Sequence, residues 1–201
     1  MYYIKKGLLL VVLYFLSFNL YAQDTIVYLE EVVVAKKINK DSHKILKTRG
    51  RQNGYYAISQ GISFVGEVEV KKSFSGVLKD VSFFFSNQRS LNPKETEFEL
   101  LLFDRDENGN PNEKLTESKL IFKVLKNENG KVTIDLSPLN LKVNNNFFVG
   151  IKRLDEDTEW NFYVDIRHKK GNIIYFKLPE TDSWEVLEGK NIDMEIRYVV
   201  E

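Results

Sequence analysis

The sequence predicts an all-β chain folded as an antiparallel β-sandwich of jelly-roll type, with a closed barrel as the second choice. Three observations predict it. Apolar and polar residues alternate with period two: Phe64, Val68 and Val70 against Glu67, Glu69 and Lys71, then Val132, Ile134 and Leu136 against Lys131, Thr133 and Asp135. Such alternation marks strands with one buried and one wet face. Turn formers recur between these runs, as Asn108-Gly109-Asn110-Pro111, Asn127-Glu128-Asn129-Gly130, Asn144-Asn145-Asn146 and Lys170-Gly171-Asn172. No stretch beyond the first segment sustains a helical period.

The first element is a targeting segment. Lys5 and Lys6 precede the apolar run Gly7 to Leu20, and Tyr21-Ala22 lead into polar sequence at Gln23-Asp24. Charge, apolar core and small residue follow the layout of a signal peptide, so residues 1–22 are expected to be removed after Ala22. The run falls short of the roughly 20 residues that cross a bilayer. The expected mature chain is therefore exported, to the periplasm or surface of a Gram-negative cell, and has no transmembrane segment. With no cysteine there is no disulfide, no thiolate chemistry and no lipoprotein anchor. Lys plus Arg and Asp plus Glu number 29 each, which removes the basic excess expected of a nucleic-acid binder.

Residues 23–54 read as an extended strand followed by a basic linker. Asp24 to Ala35 is rich in β-branched residues and holds no Gly or Pro. Lys36 to Arg51 carries Lys36, Lys37, Lys40, Lys44, Lys47, Arg49 and Arg51 against Asp41 alone, the composition of a solvated tether. Residues 55–201 read as one sandwich domain, with strands near 62–70, 77–86, 96–103, 119–125, 131–136, 146–154, 159–166, 172–178, 183–187 and 193–200. The run Phe83-Phe84-Phe85 suggests a strand at a sheet centre.

Candidate sites are few. Asp104, Asp106, Asn108 and Gly109 match the opening of a calcium loop, where hard oxygen ligands alternate around a Gly turn. Leu115 stands where the closing Glu belongs, so an EF-hand is excluded. A looser Ca2+ site and a plain hairpin loop are the remaining readings; no other cofactor is expected. Trp160 and Trp184, with Tyr163 and Tyr175 nearby in sequence, are the aromatics that would stack on a sugar ring; the competing reading places them in the core. His43 and His168 have no partner close in sequence, and no serine sits in a nucleophile elbow. No catalytic residue is assigned.

The strings Asp24-Thr25-Ile26-Val27 and Leu29-Glu30-Glu31-Val32-Val33-Val34 resemble the TonB box and early plug of TonB-dependent outer-membrane receptors. The resemblance implies an extended segment that adds as a strand to a periplasmic partner, through Ile26, Val27, Glu31, Val32, Val33 and Val34; the competing reading makes Asp24 to Ala35 the first strand of the sandwich itself. The chain is too short for the plug and the membrane barrel of such receptors. Similar strings occur in exported proteins with carboxypeptidase-regulatory-like β-sandwich domains, and 61–154 is loosely similar to exported jelly rolls. The expected function is a non-enzymatic binding protein of the cell envelope, with an envelope protein or glycan as partner. The alternative is a carbohydrate-binding module, supported by calcium.

Overall fold

The structure, a computed structural model, describes residues 26–29, 43–71, 74–86, 95–125, 127–155 and 162–200. The expected signal peptide, Glu31, Val32, Val33, Val34 and Trp160 lie outside these residues. In chain order the strands are β1 (Ile26–Tyr28), β2 (His43–Lys47), β3 (Arg51–Ile58), β4 (Ser63–Val68), β5 (Gly76–Ser86), β6 (Glu95–Arg105) and β7 (Pro111–Lys114). They continue as β8 (Lys119–Leu125), β9 (Asn129–Asp135), β10 (Lys142–Val143), β11 (Phe147–Arg153), β12 (Phe162–Lys177), β13 (Glu185–Ile192) and β14 (Met194–Val200). The one helical turn among the described residues is a 3-10 turn at Ser137–Leu139, so the chain is all-β as expected.

One hydrogen-bonded path runs β1-β8-β6-β11-β4-β12-β5-β14-β2. β3 and β13 flank β12, β7 joins β6, and β9 and β10 join β5. Among the described strands every pair is antiparallel except β1 with β8.

β12 explains how a single pairing network becomes two layers. Its first half pairs with β3, placing Ile58 beside Phe162; its second half pairs with β4, placing Ser63 beside Lys177. Ile58 and Ser63 are close in sequence, and a chain of that length reaches at most about 18 Å. A straight strand from Phe162 to Lys177 would span about 50 Å. β12 therefore folds back on itself. The register shift against β13 between His168 and Ile173 marks the bend. The β12–β13 ribbon so carries the chain from one layer to the other, and the expected strands 159–166 and 172–178 are its two halves.

The alternating apolar positions meet between the layers. Phe64, Phe98, Leu100, Leu102, Val149 and Ile151 come from one side, and Val81, Phe83, Phe85, Val132, Ile134, Val164 and Ile196 from the other. Phe98 bridges them, 5.9 Å from Phe85 and 5.2 Å from Phe162, centroid to centroid. The β5 run of three phenylalanines divides as a pleat requires. Phe83 and Phe85 point into the core, while Phe84 is half-buried on the outer face with the Lys131 ammonium over its ring at 6.0 Å.

The basic segment behaves differently from a free tether. From His43 onward it is sheet: β2 pairs with β14 and β3 with β12. Lys44, Lys47 and Arg51 lie on strand faces, and β2 alternates Lys44 and Leu46 against Ile45 and Lys47, a pattern that composition alone hides; Lys36, Lys37 and Lys40 lie outside the described residues.

Candidate binding cleft

The fold-back of β12 leaves a gap between the layers. There a cleft of about 370 Å3 is lined from five directions: 45–49 on and after β2, Glu67 to Glu69 at the end of β4, Lys169, Gly171, Asn172 and Ile173 at the bend, Asn191 on β13, and Met194 and Ile196 on β14. Its floor is Leu46, Val68, Ile173, Met194 and Ile196; charged and amide side chains form the rim.

Buried polar groups hold the walls. The Thr48 hydroxyl donates to the Ile192 carbonyl at 2.7 Å and accepts from the Met194 amide at 3.2 Å. Asn191, 6% exposed, donates its amide to the Glu67 carbonyl at 2.9 Å and accepts from the Ile192 N–H at 2.8 Å. That bond ties β13 to β4 across the gap, and it requires a glycine opposite. The Asn191 side chain occupies the space a Cβ at Gly66 would fill. On the rim the Asn172 amide donates to the Arg49 carbonyl at 3.0 Å, joining the bend to the start of β3.

The rim charges are unevenly engaged. The Lys47 ammonium is held by Glu195, and the Glu67 carboxylate by the Arg105 guanidinium at 3.2 Å and the Asn146 amide at 2.9 Å. The charged groups of Arg49, Lys169 and Glu69 have no partner among the described residues. Glu195 itself is gripped by two lysines, with Lys131 at 2.5 Å. Burial raises its pKa and is the largest single effect, but the hydrogen bonds from Lys131 and Lys47 together outweigh it and hold the carboxyl below its ordinary value.

The residues singled out from sequence lie elsewhere. Ile26 and Val27 are in β1, which pairs in parallel with β8 as an edge strand, with Ile26 beside Lys119 and Val27 beside Leu120. Asp104, Asp106 and Asn108 sit at the β6–β7 turn, where the carboxylates serve the backbone. Asp104 accepts from the Glu113 N–H at 2.7 Å, and Asp106 from the Asn110 N–H at 2.7 Å. The Asn110 bond holds the Asp106 pKa below its ordinary value. Gly109, at φ +92°, makes the turn, and its carbonyl accepts from the buried Tyr175 hydroxyl at 3.0 Å. The loop thereby folds onto the outer face of the β4–β6–β11 layer. Among the described residues no group of three or more His, Asp or Glu side chains is placed to hold a metal ion.

Trp184 caps a small apolar cluster on that same face, with Val65, Leu101, Phe148 and Tyr175. It is half-buried, edge-on to Phe103 at 5.5 Å, with the Lys177 ammonium 5.6 Å from its ring centroid. Tyr163 meets Tyr55 edge-to-face at 5.0 Å on the opposite layer. Among the described residues, Tyr163, Tyr175 and Trp184 therefore do not form one platform. His43 opens β2 and lines a second, smaller hollow of about 160 Å3 beside the Arg197–Asp80 ion pair.

The cleft residues were not legible as a set. Arg49 read as tether and Lys169 as loop; only the β12 bend brings them together. The one signal in the sequence was a basic run closed by a glycine, Arg167 to Gly171, inside an otherwise strand-like stretch. No family model matches the chain, and no curated protein matches it.

Proposed function

We propose that this chain is an exported, non-enzymatic binding protein of the cell envelope, periplasmic or surface-located, and that the cleft beside the β12 bend is its binding site. The signal-peptide layout of residues 1–22 supports export. The cleft carries the binding assignment. Its volume of about 370 Å3 lies within the ~300–1,000 Å3 of small-ligand sites, and it joins an apolar floor to a few fixed polar groups. Its walls are tied by the Asn191 and Thr48 bonds, so a ligand meets a preformed site and little ordering cost opposes binding. Described residues include no helix long and apolar enough to cross a membrane.

A single reporter tests this. The two methionines are Met1 and Met194, so a methyl-labelled chain lacking the leader carries one labelled methionine, on the cleft floor. A screen of small polar compounds should displace the Met194 methyl resonance with saturable dose dependence. A screen in which no compound moves it removes the cleft as a ligand site.

A further inference from the structure

We infer that the cleft takes a small organic anion, a sugar or similar polar molecule bearing a carboxylate or phosphate, with its charge between Arg49 and Lys169. This rests on the cleft being the binding site and adds the chemistry of the ligand.

Two rim cations, Arg49 and Lys169, are exposed and lack an acidic partner among the described residues, against one rim carboxylate, Glu69, in the same condition. The other lining charges are already paired, Lys47 with Glu195 and Glu67 with Arg105. The ribbon beside the cleft carries further basic residues. Strand register sets Arg51, His168 and Lys190 side by side across β3, β12 and β13. Among the described residues no carboxylate pairs with these three. The Lys190 ammonium instead lies over the Tyr56 ring at 5.8 Å. Lys170 adds a further exposed cation at the bend. Lys169 lines the cleft beside Arg49 and Lys170 adjoins it at the bend, so the fields of these three cations add at the cleft mouth. The balanced charge of the whole chain conceals this local excess.

The shape selects the size of the anion. A concave site with Leu46, Ile173 and Met194 below the cations suits a small molecule with one anionic group and a less polar body. A membrane surface or a nucleic acid would favour a flat or extended basic face instead. Arg49 supplies a planar fork that grips two oxygens of a carboxylate or phosphate, and Lys169 a point charge.

Calorimetric titration of the leaderless chain with glucose 6-phosphate, galacturonate and glucose tests the inference and separates the two anion sources. At least one anionic sugar should bind, more weakly as salt is raised, and glucose should bind far less tightly. Arg49→Gln and Lys169→Gln should each weaken binding about tenfold, the loss of one charge-assisted hydrogen bond, with the melting temperature unchanged; Arg49→Lys should recover part of the loss. Glucose binding as tightly as its charged counterparts, both Gln variants binding like the parent, or no heat with either anion overturns the inference. Displacement of the Met194 methyl by neutral compounds alone would retain the cleft and reject the anion, whereas a silent methyl throughout rejects both.

Discussion

At the scale of single residues, the most demanding feature is Arg153. Its side chain is 1% exposed, its guanidinium lies 5.2 Å from the Phe162 ring centroid, and its charge is matched by Asp155. Asp155 also accepts from the Thr96 hydroxyl at 3.2 Å. Removing the acid takes a charged partner from this buried guanidinium, which also donates to the Ile58 carbonyl at 3.4 Å, so Asp155→Ala should cost about 1–3 kcal/mol in urea unfolding; a loss within a few tenths would show that the Asp155 pair contributes little to stability. Glu195 makes a pH-dependent contribution. Its folded pKa lies below the unfolded value of about 4.5, so its stabilisation is complete above that pH and is lost as pH falls through the folded value. Glu195→Gln should be less stable than the parent at neutral pH, and the gap should close on acidification. A gap that stays constant down to low pH would mean the two lysines contribute no charge-dependent stability.

Strands and turns show what a sequence reveals and what it withholds. β4, β5, β6, β8, β9, β11 and β14 all fall where strands were expected, because each has an apolar face for the core; β4, β6 and β11 also bury Val65, Leu101 and Phe148 on the other face. β2 and β3 were hidden. His-Lys-Ile-Leu-Lys and Arg-Gln-Asn-Gly read as a tether by composition, and only pairing with β14 and β12 makes them sheet. The docking role expected of Ile26 and Val27 meets a competing partner within the chain. β1 covers the edge of β8, whose Leu-Ile-Phe run would otherwise offer an apolar pairing template. Val27 and Leu29 pack on the core, while Ile26 and Tyr28 are exposed. The native chain contains no cysteine, so Ile26→Cys with Lys119→Cys gives an unambiguous crosslink. Oxidation should yield a disulfide-closed monomer; crosslinking only between molecules would place β1 on a neighbour.

For the whole molecule, the fold class was legible and the site was not. Period-two patterning is local and survives in one dimension. The cleft depends on a fold-back in β12 that unites 45–49, Glu67 to Glu69, Lys169, Gly171 to Ile173, Asn191 and Met194 from distant parts of the chain. Asp104 and Asp106 looked ligand-like because turn-stabilising carboxylates and calcium-binding carboxylates share the same residue types; their hydrogen bonds to Glu113 and Asn110 show the first use. Trp184 sits on the outer face, away from the residues that line the cleft. This separation makes the central claim directly measurable. With glucose 6-phosphate or galacturonate as titrant, whichever binds, the Met194 methyl and the Trp184 indole N–H are followed in the same NMR experiment. The cleft reading predicts that the methyl resonance moves and saturates while the indole resonance stays in place; a moving indole beside an unmoved methyl would contradict it.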